Sequence, residues 1–179
     1  MYIEIYRLLG KTFLEARRYA DAADIFQRAL MAVPDDFVSH VGMSIIRAKG
    51  TQNMGNVVVI SDRSDLEVYA DPLFDKVFYN LIENALVYGG EQLTTIRIST
   101  SESDNDLVIV CEDDGAGVDP EEKENIFRKG FGKDSGLGLF LIREILSITA
   151  ITIQETGEPG KGARFEILVP EGDWRITAP

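Results

Sequence analysis

Two asparagines four residues apart, Asn80 and Asn84, and an aspartate leading two spaced glycines, Asp113 in DDGAG, are the side chains of this sequence best suited to chemistry. Residues four apart share a helical face, so the two amides point the same way and their oxygens suit a magnesium ion held between phosphates. Asp113 follows the apolar run LVIVC, and a carboxylate there can accept a hydrogen bond from a ring amino group, which separates adenine from guanine. Gly115 and Gly117 let the backbone turn tightly beside a flat ring and its sugar. Gly136 and Gly138, in DSGLGLFL, set backbone N–H groups at a helix start, where the dipole favours phosphate oxygens. Arg128, Lys129 and Lys133 precede them as cations for the same phosphates. Taken singly, these segments read equally as a polar helix face, an acidic turn and a solvated basic patch. Together, the amides, the carboxylate and the glycines would fit one nucleotide site.

The elements that must carry them follow from periodicity. Residues 72–88 read as a helix, with Leu73, Val77, Leu81, Ala85 and Tyr88 near helical spacing. Residues 57–60 and 66–72 read as short strands, as do Thr94–Ser99 and Asp106–Cys111 joined by the turn SESDN. A short helix is predicted over Pro120–Phe127, capped by Asp119, and another over Gly136–Ile148. Ala150–Thr156 and Ala163–Val169 form a hairpin across GEPGKG, with Gly160 and Gly162 in its turn. Strands and helices in this order predict an α+β fold, a two-layer α/β sandwich with one mixed sheet covered on one face by helices. Ahead of it, residues 3–34 predict two amphipathic helices, the first with an apolar stripe of Ile5, Leu8, Leu9 and Phe13, the second with Ala22, Ala23, Phe26, Ala29 and Leu30. Pro34 ends the second, and a third is expected from about Phe37 to Lys49. The expected division is a small all-α helical segment over 1–50, a linker at 51–56, the main domain over 57–173 and a tail at 174–179.

The 179 residues, 45% hydrophobic and 27% charged, suit a globular chain with one main core and a small appendage. Residues 1–50 hold seven Lys/Arg against six Asp/Glu, whereas residues 51–179 hold 11 against 24, a net −13 that disfavours nucleic acid. One His and one Cys leave no zinc cluster, and Cys111 reads as a buried thiol. No apolar run is long enough to cross a bilayer, and the first residues lack a secretory signal, so the cytoplasm is the expected location.

NLIENALVYGG, EDDGAGVD, DSGLGLFL and GKGARFEILVP together resemble the N box and the three glycine boxes of the family containing gyrase, Hsp90, histidine kinases and MutL. That resemblance implies the Bergerat-type sandwich, ATP with Mg2+, and, within this chain, Asn80 and Asn84 as catalytic and metal-holding residues. It implies contacts to nucleotide from Asn84, Tyr88, Asp113, Gly115, Gly117, Arg128, Lys129, Lys133, Gly136, Leu137, Gly138, Leu139 and Gly162. Hydrolytic members carry Glu where this chain has Asn80, and an amide cannot take a proton from water. The resemblance therefore favours the ATP-binding catalytic domain of a sensor histidine kinase, a phosphotransferase of two-component signalling. Asp134 stands where a first glycine is usual, and Ala163 where Thr or Ser is frequent. Tyr6, Leu9, Gly10, Phe13, Ala22, Phe26, Ala29 and Pro34 also resemble the spaced positions of a tetratricopeptide repeat. His40 lacks the acidic neighbour of a phosphoacceptor, so the acceptor histidine is expected on a partner or a missing dimerisation domain. A response-regulator partner and self-association through the N-terminal helices are expected. The alternatives are a silent ATP-binding module docking through its helical repeat, and a serine kinase of the anti-sigma type.

Overall fold

The computed structural model describes residues 3–51, 54, 57–62, 65–131 and 136–177. Three helices come first: α1 (Ile3–Glu15), α2 (Tyr19–Ala32) and α3 (Phe37–Thr51). α1 packs beside α2 across residues 16–18, where Arg17 takes a left-handed φ of 58°. The Phe26 ring of α2 lies between two glycines. A Cβ on Gly10 of α1 would fall 2.3 Å from it, and one on Gly42 of α3 would fall 2.4 Å from it.

α2 buries Ala22, Phe26 and Ala29, as its pattern predicts, but α1 is turned the other way. Of its expected stripe Ile5, Leu8 and Leu9 are exposed and only Phe13 packs inward, half-buried against the Phe26 cluster, while Ile3, Arg7 and Gly10 are buried. Two contacts fix that rotation: Gly10 must face Phe26, and Arg7 Nε donates to Asp36 Oδ1 at 2.6 Å. A buried guanidinium is tolerated only with such a partner.

Asp36 also caps α3, its Oδ2 accepting from the Ser39 amide at 3.0 Å. α3 then joins the main core, where Phe37, Val41, Ile45 and Ala48 pack with Phe74, Val77 and Phe78. Phe37 and Phe78 meet edge to face at 5.5 Å. His40 is part of this packing: Nε2 lies 2.7 Å from the Pro34 carbonyl oxygen, its ring stands edge-on to Phe74, and burial lowers its pKa.

The remaining elements are β1 (Val58–Ser61), β2 (Leu66–Val68), α4 (Phe74–Tyr88), β3 (Thr95–Ser103), β4 (Asp106–Asp113), α5 (Gly138–Ser147), β5 (Thr152–Glu155), β6 (Arg164–Val169) and β7 (Trp174–Ile176). Five strands form one sheet in the order β1-β3-β4-β6-β5, with β1 parallel to β3 and the other pairs antiparallel. α4 and α5 pack together against it, burying Ile96, Ile98, Ile109, Phe165 and Ile167 beneath them. This is the expected mixed α+β sandwich.

Three local expectations change. The β3–β4 hairpin turns on Asp104 and Asn105 alone, both at positive φ, so the preceding SES belongs to the strand. Residues 120–127 form successive turns instead of a helix. Glu122 N bonds Asp119 O and Asn125 N bonds Glu122 O, three residues back, and four-residue bonding does not propagate. Trp174–Ile176, read as tail, pairs antiparallel with β2, and Arg175 meets Glu67 at 2.5 Å.

Candidate functional site

A cavity of about 790 Å³ opens between α4, the end of β4, the turns at 118–131, the start of α5 and the start of β6. α4 turns its 83, 84, 87 and 88 side chains to it because these positions recur on one helical stripe, while Phe74, Val77, Phe78 and Leu81 on the opposite stripe are buried in the core. The helix ends at Gly89, whose added Cβ would sit 2.5 Å from the Ala85 carbonyl oxygen. There the chain is crossed by the DDGAG loop. A Cβ on Gly115 would meet the Gly89 Cα at 2.5 Å, and Ala116 N bonds Gly89 O at 3.0 Å.

Asp113 is the last residue of β4 and lines the cavity. Its Oδ1 accepts from the Gly115 amide at 2.8 Å and from the Ala163 amide at 3.2 Å. Oδ2 is left without a hydrogen-bond partner among the described residues, so the carboxylate is oriented at one oxygen and open at the other. Burial raises its pKa, against the two amide donors that lower it. The adjoining hairpin can come this close because residue 162 is glycine: its φ is 101°, and a Cβ would lie 1.8 Å from the Asp113 carbonyl oxygen. Asp114 points elsewhere. It takes the Thr94 hydroxyl at 2.5 Å and the Thr94 and Thr95 amides at 2.7 and 2.9 Å, which lowers its pKa to about 2.

On the opposite wall α5 begins at Gly138, and its first turn has no side-chain cap, so its leading amides are not taken by a capping side chain. Gly136, Leu137, Gly138 and Leu139 all line the cavity. Asn84 lines it too, and its Nδ2 is buried with no hydrogen-bond partner among the described residues. An orphaned N–H donor at a cavity wall fits a group that meets an acceptor on a ligand. Asn80 lies just outside the wall. Its Nδ2 donates to the Lys76 carbonyl at 2.8 Å, and its Oδ1 faces Gly138, where an added Cβ would stand 3.3 Å away.

Of the residues singled out in sequence, the wall brings together Asn84, Tyr88, Asp113, Gly117, Gly136, Leu137, Gly138 and Leu139. Gly115 and Gly162 lie behind it as close-approach positions, and Arg128 and Lys129 are exposed and outside it. Lys133 falls outside the described residues. The sequence reading missed Glu83, Val87, Val118, Asp119, Glu122, Ile126, Phe131 and Phe165 in the wall. Glu83 and Val87 carried a signal, since they flank Asn84 and Tyr88 on α4. Val118, Ile126 and Phe131 sit in turns without periodicity, and only the chain's return over the cavity makes them lining.

The likenesses to known proteins agree with this geometry. Residues 70–173 match the family described as Histidine kinase-, DNA gyrase B-, and HSP90-like ATPase. The probable C4-dicarboxylate sensor kinase of Bacillus subtilis is 28% identical over 142 residues, 72% of this chain and 26% of the relative. The sensor-like histidine kinase SenX3 of Mycobacterium tuberculosis is 26% identical over an alignment of 186 residues, 93% of this chain and 45% of the relative. The chain thus spans between a quarter and a half of the length of these relatives. Among solved structures, the mycobacterial sensor histidine kinase MprB has the same fold, with a TM-score of 0.66 at 18% identity, covering 75% of this chain and 94% of that one. The match runs from before α4 to the end of the β6 side of the sandwich and takes in every described wall of the cavity, so this chain belongs to the histidine kinase-, DNA gyrase B- and HSP90-like ATPase family.

Proposed function

We propose that this chain is the ATP-binding catalytic domain of a histidine kinase of two-component signalling, passing the γ-phosphoryl group of ATP to a histidine outside its own sequence. The observation that carries the reading is Asp113, held at Oδ1 by two amides with its other oxygen open at a cavity of nucleotide size. An ionised Oδ2 accepts the adenine amino group and rejects the guanine oxygen at that position. The phosphates then lie toward α5, whose first amides and dipole favour anions. Arg128, Lys129 and Lys133 would supply further positive charge to the phosphates, and Tyr88 would contact phosphate or ribose. Asn84, with Asn80 beside it, would hold Mg2+ carried in with the nucleotide, and the ion would neutralise phosphate charge. In-line transfer asks little covalent chemistry of the protein, so positioning and charge do the catalysis.

His40 is buried against Phe74 and the Pro34 carbonyl, which supports an acceptor on a partner or a separate dimerisation domain. No helix among the described residues is long and apolar enough to cross a membrane, and a cytoplasmic site of action with a response regulator downstream completes the proposal. The test is calorimetric titration of ATP with magnesium into the purified chain, beside GTP and Asp113→Ala. Saturable binding of ATP alone, lost in the variant, supports the reading; a folded wild type that binds no ATP overturns it. Radiolabelled ATP with a histidine-bearing dimerisation domain then tests transfer.

A further inference from the structure

Glu155, the last residue of β5, is buried at 7% exposure, and Lys123 approaches it from the turns at 119–131. Glu155 Oε1 accepts from the Gly157 amide at 3.0 Å and the Arg164 amide at 3.1 Å, closing the base of the β5–β6 hairpin. Its Oε2 meets Lys123 Nζ at 2.7 Å, and the same ammonium donates to the Gly157 carbonyl. A carboxylate this deep is costly without compensation: two amides satisfy Oε1, while Oε2 has no hydrogen-bond partner among the described residues and is balanced by the charge of Lys123 alone. Neither side chain lines the cavity.

What the pair joins is the point. The hairpin it closes delivers the Ala163 amide to Asp113 and the Gly160 amide to the Ala116 carbonyl. The turns that carry Lys123 deliver Asp119, Glu122 and Ile126 to the facing wall. We propose that Lys123 and Glu155 are positioning residues for nucleotide: their ion pair sets the spacing between the wall that orients Asp113 and the wall that faces it, without touching the ligand. This rests on the nucleotide reading above. Because the pair acts at the Asp113 end, its loss weakens ATP and ADP by the same factor.

The test uses the full chain with Lys123→Met, Glu155→Gln, the double variant and the conservative Lys123→Arg. Gln keeps an oxygen for the two amides and turns an uncharged NH2 donor toward Lys123, which removes the ion pair. Magnesium ATP and ADP are titrated into each, and hydrogen exchange is followed at the Ala163 amide in the absence of nucleotide. We expect a three- to tenfold rise in Kd in each single variant, equal for ATP and ADP. The double variant should be no worse than the poorer single, Lys123→Arg should stay within twofold of wild type, and the Ala163 amide should exchange faster in Lys123→Met. Wild-type affinity in Lys123→Met, or additive single effects, would overturn the proposal while the nucleotide reading stands. A loss that only tracks a lowered unfolding midpoint, with Ala163 exchange unchanged below it, would reduce the pair to a structural contact. Absence of ATP binding in the wild type would overturn both.

Discussion

Two adjacent aspartates show how neighbouring residues acquire different chemistry from their surroundings. Asp114 is exposed and accepts three donors, and its pKa is lowered to about 2. Its contribution to stability is present above the ordinary aspartate value and is lost as pH falls toward 2. Asp113 is raised by burial, so the folded chain holds its proton more tightly than the unfolded chain does. Its effect on stability therefore has the opposite sign, falling as pH rises through the raised pKa. Nucleotide binding needs the ionised form, so we expect ATP affinity to weaken on acidification while an ordinary aspartate would still be charged. Titrations on folded wild type and Asp113→Asn from neutral pH downward check this, and a pH profile shared by both would contradict it. For Asp113→Asn, which replaces one acceptor oxygen by an NH2 donor, we expect a loss of about 1–3 kcal/mol in ATP binding, roughly five- to 150-fold, by calorimetry. The place of Asp113 at a strand end beside the cavity was legible because a short motif marks it. That Ala163 would supply the second amide was not, since 50 residues separate donor and acceptor.

At the scale of elements, α2 kept the face its periodicity predicts; α4 buries Val77, Leu81 and Ala85 of its stripe but leaves Leu73 and Tyr88 exposed; and α1 buries a different face. Its stripe of Ile5, Leu8 and Leu9 is more apolar than the face it buries, but close approach to Phe26 requires Gly10 on the inside. A methyl group there has no room. We expect Gly10→Ala to cost about 1–3 kcal/mol through overpacking against the ring, measured by urea unfolding. Gly50, also in a helix, has nothing within 4 Å of an added Cβ, and Gly50→Ala should be neutral or stabilise by roughly 0.5–1 kcal/mol. A similar cost in both variants would show that the seam is looser than its distances indicate. The turns at 119–131 were misread for the complementary reason: a capping aspartate and a proline start a helix locally, but propagation needs an apolar face to bury, and Lys123 is drawn down to Glu155 instead.

For the whole molecule, the polar contacts that matter most join its two ends. Arg7 of α1 pairs with Asp36 at the start of α3 and donates to the Thr177 hydroxyl at 2.8 Å, just beyond β7. Val68 N bonds Asp35 O, and Thr177 N bonds Asp65 O, so β2 and β7 are stitched to the same corner. Arg7 and Asp36 are both buried, at 2% and 0% exposure, so losing one leaves an uncompensated charge. We expect Arg7→Met to destabilise the chain by about 3–5 kcal/mol in denaturant unfolding, and Arg7→Met with Asp36→Asn to recover part of that loss. Additive costs in the double variant would mean that the two side chains act independently. The main core continues from the sandwich into α3, so the third helix shares the apolar interior of the sheet and α4, while α1 and α2 meet around Phe26 in a second, smaller cluster.

The sequence by itself determined the boxes around Asn80, Asp113, Gly136 and Gly160 and the sandwich that carries them. These are short-range facts: glycine at a forced turn, a carboxylate at a strand end, and the spacing of a helical face. The rotation of α1, the pairing of β7 with β2, the apolar wall from the 118–131 turns and the buried Lys123–Glu155 pair were decided only by the tertiary structure. Each depends on which distant surface a residue is pressed against, and in a close-packed interior a glycine facing a ring or a charge facing its partner outweighs the local preference of the stripe that carries it.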